Sequence, residues 1–109
     1  MIYIELTLHK SHVVVRVEGK LNFETTHKLR DTLRDLPLMG KPVVLLMKGV
    51  RVLDSSGLGL LVAFKNRSDQ NNTRFSLCDL SDAARKAITT TNLECYFKIF
   101  PSEREALDS

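Results

Sequence analysis

The chain of 109 residues is poor in several things that would advertise a function. Aromatic residues make up 6% of it, and Lys and Arg are scattered. With no stacking platform and no basic run, the net charge of +3 does not point to nucleic acid. The two cysteines, Cys78 and Cys95, fit no CxxC or metal-ligand spacing and read as structural thiols. The longest apolar runs, such as Val43–Met47, are far too short to span a bilayer. The opening Met-Ile-Tyr-Ile-Glu lacks a charged region followed by an apolar signal core. The expectation is a cytoplasmic protein without membrane insertion.

Catalytic signatures are missing too. No P-loop, HExxH or GxSxG occurs. Gly57-Leu58-Gly59 lacks the third glycine of a dinucleotide fingerprint. The histidines, His9, His12 and His27, all lie in the first quarter. A triad of a serine with His27 and Asp54 is disfavoured, because nothing positions a base, its orienter and an oxyanion hole together. Asp69, Asp79 and Asp82 read as cap and turn residues, not as a metal cluster. The expectation is no enzyme, no catalytic residue, no cofactor and no metal.

What is present is an ordinary globular composition, 43% hydrophobic and 27% charged, of a size that suits one domain over residues 1–109. Ile2, Ile4, Leu6 and Leu8 alternate with Tyr3, Glu5 and Thr7, the pattern of a strand with one face buried. Lys10-Ser11 predicts a hairpin turn, without the favoured Gly or Asn. His9 and His12 flank it as solvated polar residues. Val13, Val15 and Val17 mark a second strand. Asn22 is placed as N-cap of a helix running to about Leu36, with Leu29, Leu33 and Leu36 on its apolar face and Phe23 extending it. Pro37 and Gly40 punctuate the chain. Val43–Met47 is apolar on both faces, as a central strand covered on both sides would be.

A helix follows from about Ser56 to Asp69. Its first turns are apolar nearly all round, so it is either deeply buried or has a face waiting for a partner. Thr73–Cys78 reads as a fourth strand, polar and not central. Asp79–Thr90 reads as a helix capped by Ser81 or Asp82, and Tyr96–Phe100 as a fifth strand. Ser102 and Glu105 stand at capping-box spacing for a last short helix. The predicted order is β-β-α-β-α-β-α-β-α, an α/β chain whose mixed, largely parallel five-stranded sheet is flanked by four helices, concentrated on one side.

Asp54-Ser55-Ser56-Gly57-Leu58-Gly59 stands at the junction between the central strand and the apolar helix. A helix N-terminus carries unsatisfied N–H groups and a partial positive charge, so a phosphate is well placed there. A serine there is also a preferred N-cap. Asp54 either caps the turn or meets a magnesium–phosphate group of an incoming kinase.

This hexapeptide, with the apolar strand and Gly49-Val50 before it, resembles the signature of STAS domains, and most of all the single-domain anti-sigma factor antagonists of bacteria. Glu18-Gly19-Lys20-Leu21-Asn22 matches the family's turn after the second strand, and Asp79-Leu80-Ser81 the start of its third helix. The resemblance implies that Ser56 is phosphorylated by a partner that is both anti-sigma factor and serine kinase. The unphosphorylated form binds that partner, and a serine phosphatase resets the cycle. Asn22, Asp54, Ser55, Ser56, Gly57, Leu58 and Gly59 would form the switch loop that the partner contacts. The chain departs from the family where Asn22 replaces the usual Asp. It departs again at Leu46, counted here as the end of the third strand, where another Asp is frequent. Lys48 and Arg51 make the approach to Ser56 more basic than usual. Other stand-alone relatives control biofilm formation or secretion. A second reading is a non-switching scaffold subunit of a lipid-transport ABC complex, with the serine only a cap.

Overall fold

The structure, a computed structural model, describes residues 1–109. Strands β1 (Ile2–Leu8), β2 (Val13–Leu21), β3 (Val43–Leu53), β4 (Phe75–Cys78) and β5 (Lys98–Phe100) form one sheet in the order β1-β2-β3-β4-β5. The β1–β2 pair is antiparallel and every other pair is parallel. Helices α1 (Thr26–Leu33), α2 (Ser55–Gln70) and α3 (Asp82–Thr90) join the parallel strands. The six-residue α4 (Glu103–Asp108) ends the chain. The predicted order of elements is therefore the observed one.

Alternation within the strands sorts the two faces. Val13, Val15 and Val17 of β2 and Val43, Leu45 and Met47 of β3 point into one core. Leu29 and Leu33 of α1, Leu61 and Phe64 of α2, and Ala84 and Ile88 of α3 close that core. On the opposite face only α4 packs, where Ala106 joins Val44 and Cys78. Leu46 and Phe100 pack beside them, and Arg16, Glu18, Lys48 and Asp79 surround a depression on the same face. The expected cover of Val43–Met47 on both sides is met on this face by Val44, which is buried, and in part by Leu46, which is half-buried.

Several boundaries differ from the sequence reading for local reasons. Asn22 does not cap α1. Its Oδ1 accepts from the Glu24 N–H at 3.1 Å and from the Thr25 hydroxyl, an Asx turn that delays the helix to Thr26. Phe23, assigned to the helix face, is 79% exposed as a result. Pro37 disfavours helix before it, so α1 stops at Leu33 and Leu36–Met39 form a 3-10 turn ended by Gly40 at φ 70°. Leu6 and Leu8 continue the apolar stripe of β1 but lie beyond its helical cover and are exposed. β4 is fully buried between β3 and β5, since the polar Thr73 and Arg74 fall outside it. β5 starts only at Lys98, after a turn that contains Tyr96. α3 starts at Asp82 rather than Asp79, which sits at φ 53° in the preceding turn.

β3 also runs six residues past Met47, to Leu53. Its pairing with β2 shifts register twice, between Arg16 and Glu18 and between Gly19 and Lys20. Each shift leaves an extra residue on β3, a bulge that bends the strand on its way to Asp54. Leu46 consequently lies mid-strand, opposite Arg16 and Cys78. It is not at the end of the third strand, and Leu53 holds that place.

Candidate functional site

The carboxyl end of β3 delivers the chain to α2 through Asp54. This residue, not a serine, is the N-cap: its Oδ1 accepts from the Gly57 N–H at 2.9 Å. The other oxygen, Oδ2, accepts from the Phe23 N–H at 3.0 Å, and the Asp54 N–H donates to the Leu21 carbonyl at 3.3 Å. One carboxylate thereby fixes the start of α2 and ties it to the turn after β2. With both oxygens given to backbone N–H groups, Asp54 orients no imidazole. His27 lies exposed on α1, and no triad is assembled.

Gly57 makes this closeness possible. A Cβ there would meet the Leu21 carbonyl oxygen and the Leu53 Cδ1 atom, each at 2.7 Å. Gly59 is different: a Cβ there would meet nothing within 4 Å. Leu58 is buried and anchors the first turn in the core. The predicted loop residues therefore divide. Asp54, Gly57 and Leu58 hold the turn in place; Ser55, Ser56 and Gly59 face outward.

Ser55 is exposed and Ser56 half-buried, at the first and second positions of the helix. No side-chain hydrogen bond within the chain uses either hydroxyl, because Asp54 has taken the cap. The Leu58 N–H closes the first helical turn onto the Asp54 carbonyl, and the Gly57 N–H goes to the Asp54 side chain. The N–H groups of Ser55 and Ser56 stay available at the positive end of a 16-residue helix.

Two flanks complete the site. On one, a shallow groove between α2 and α3 is lined by Arg51, Leu58, Ala83, Lys86, Ala87 and Thr90, with Ser55 at its edge. Its floor is apolar, and its charged residues are Arg51, Lys86 and the capping Asp54. On the other lies Phe23, held beside Asp54 through its own backbone N–H and largely exposed. The sequence reading missed Phe23 because helical spacing assigned it to the core. The signal available was Asn22 before it, a residue that favours turns over helix interiors. Asn22 itself is half-buried and shapes the Phe23 turn without reaching the serines.

The two thiols separate cleanly. Cys95 is exposed, and Cys78 is buried under α4. Burial above all, then the charges of Glu103 and Asp79, pushes the Cys78 thiol up to about 12.

Comparison with known proteins agrees with this geometry. The family model for the STAS domain matches residues 3–106. An anti-sigma F factor antagonist of Paenibacillus polymyxa is 24% identical over 106 residues, which span 95% of this chain and 91% of that protein. The crystal structure of an anti-sigma factor antagonist from Mycobacterium paratuberculosis superposes with a TM-score of 0.88 at 26% identity, covering 99% of this chain and 92% of that one. The Bacillus cell fate determinant SpoIIAA, at 22% identity, shares the fold in two forms. Its unphosphorylated form gives a TM-score of 0.80 over 97% of this chain and 94% of that one. Its phosphorylated form gives 0.74 over 97% of each. With a family model matched from end to end of the sheet and relatives that share its whole topology, this chain belongs to the STAS domain family.

Proposed function

We propose that this chain is a phosphorylation-switched binding protein of the anti-sigma factor antagonist type. Unphosphorylated at Ser56, it sequesters an anti-sigma factor that is also a serine kinase, or a regulator of similar build. Phosphorylation of Ser56 releases that partner, and a serine phosphatase restores binding. The chain works in the cytoplasm as one STAS domain and catalyses nothing itself. No helix is long and apolar enough to cross a membrane.

One observation carries this reading: Asp54 caps α2 and leaves the Ser56 hydroxyl unengaged at the surface. A serine that served as the cap would have its oxygen turned into the helix. The exposed row Ser55, Gly59 and Ala63 lies beside Ser56 along α2, small enough to let a partner approach closely. Phe23 and the groove floor offer it apolar contacts on either side. A phosphoserine would bring about −1.5 to −2 charges to the middle of that surface. The helix end tolerates them, but a partner packed over apolar contacts must desolvate them at a cost of several kcal/mol.

The test is intact-mass analysis of the protein purified from its own host, with and without phosphatase treatment, followed by mapping of the modified peptide. The reading expects a phosphatase-sensitive species modified at Ser56. Co-purification with a membrane ATPase and no phosphoserine at any growth stage would replace it with the scaffold reading.

A further inference from the structure

At the opposite end of the sheet from Ser56, the β1–β2 hairpin and α4 bring two imidazoles and a carboxylate together. The His9 N–H donates to the His12 carbonyl at 2.9 Å, which makes these residues the cross-strand pair that closes the two-residue turn. Residues opposite each other in such a pair put their side chains on the same face. The two rings stack with centroids 4.4 Å apart and planes 16° from parallel. The face they occupy is the one α4 covers. Glu103, the first residue of α4, reaches across and places Oε2 3.1 Å from His12 Nε2. Contrary to the sequence reading, His12 is not solvated: it is 8% exposed. The ligand-capable atoms of His9, His12 and Glu103 all lie within 4.8 Å of one another.

We infer that His9, His12 and Glu103 form a binding site for a divalent zinc-class cation, with water in the fourth position. Two imidazoles and one carboxylate are a donor set that zinc accepts, with bonds of roughly 2.0–2.2 Å. Tetrahedral bonds of that length separate neighbouring ligand atoms by about 3.3 Å. The His12–Glu103 distance needs almost no adjustment to meet this. Nearly parallel rings do not aim their lone pairs at one point, so His9 turns out of the stack to complete the site. It is exposed, and its side chain makes no hydrogen bond that would resist. Ser11 Oγ lies 2.8 Å from His12 Nδ1, the outer contact that commonly fixes the orientation of a metal-binding imidazole. Lys41 Nζ donates to the His9 carbonyl at 3.1 Å and steadies the hairpin.

The ion would act as a clip. A helix of six residues is too short to hold itself in water, and α4 rests on few buried side chains. Joining Glu103 to the hairpin pins α4 over Val44 and Cys78, across a sequence separation of 91 residues. Nine residues of β2 separate this end from the Ser56 end, about 30 Å of strand. The clip is therefore independent of the proposed switch.

Calorimetric titration of the full chain with zinc chloride tests the inference, using a Cys95→Ser background to remove the exposed thiol. One zinc per chain is expected, with a melting temperature raised by about 5 °C at saturation. His9→Ala and Glu103→Gln should each weaken binding at least tenfold; Gln can still hydrogen-bond His12, so Glu103→Gln reports the lost ligand and not a lost fold. Magnesium, which prefers oxygen ligands, should leave the melting temperature unchanged. Absence of binding, or binding unaltered in His9→Ala, would overturn the site and leave His12–Glu103 as a plain hydrogen-bonded pair.

Discussion

Three helices of this chain have a serine at their start, and they use it in two ways. At α3, Ser81 is the cap and its Oγ accepts from the Ala84 N–H at 3.1 Å. At α4, Ser102 does the same for Glu105 at 3.2 Å. At α2 the cap is Asp54, and the two serines behind it are unengaged. The side-chain chemistry is the same in all three places; the residue one step earlier decides what it does. An aspartate in the cap frees the hydroxyls that follow, so DSS reads differently from a serine capping alone. The same aspartate draws Phe23 alongside through its second oxygen. No corresponding cross-link to a neighbouring loop accompanies the Ser81 or Ser102 caps.

Substitutions can break this contrast, and they differ in size. Gly57→Ala should be the most damaging to stability. Its methyl would be driven into the Leu21 carbonyl and Leu53, and overpacking of this kind costs about 1–3 kcal/mol. Chemical denaturation should show the midpoint fall, whereas Gly59→Ala, with open space around it, should leave the unfolding free energy unchanged or raise it by up to about 1 kcal/mol. Asp54→Ala comes next. Losing the cap and the Phe23 tether together should cost about 1–2 kcal/mol. Hydrogen exchange should then quicken at Gly57 and Phe23 before it does elsewhere.

Ser81→Ala should cost about 1 kcal/mol, while Ser55→Ala and Ser56→Ala stay within about 0.5 kcal/mol of the parent in the same denaturation series. Equal losses at all three serines would erase the distinction between α2 and α3. The thiols come last because their titration is felt only at alkaline pH. The Cys78 thiol titrates near 12 in the folded chain against an ordinary value of 9.0. The folded state therefore holds its proton where the unfolded state releases it. Cys78 thus adds stability that is fully present below about pH 9 and is lost as pH rises towards 12. Cys78→Ala should flatten that part of the pH–stability curve, and iodoacetamide at neutral pH should modify Cys95 alone.

Much of this was legible in the residues themselves. The alternation of β1 and β2, the apolar β3 and the glycine-flanked serines specify the element order and the junction that matters. The Ser102 cap and the choice of Ser81 or Asp82 were also readable, since capping depends on a few adjacent groups. What escaped depends on contacts distant in sequence or on a choice between competing local hydrogen bonds. Asn22 was misplaced because its competing turn is completed by the Thr25 hydroxyl, which also donates to the Lys20 carbonyl at 2.7 Å. His12 looked solvated because its cover, Glu103 of α4, comes from the far end of the chain. β4 looked peripheral because burial by neighbours on both sides outweighs a polar composition. That Asp54, and no serine, caps α2 was likewise undecided, because both residue types are good caps.

Negative charge on residue 56 should expel a partner without disturbing the fold. This expectation is tested most directly by comparing partner capture from the native host by wild type, Ser56→Ala and Ser56→Asp, with each variant's melting temperature measured alongside. Ser56→Ala should retain the partner and Ser56→Asp should lose it by more than a hundredfold, at unchanged stability. Equal capture by all three would contradict this expectation.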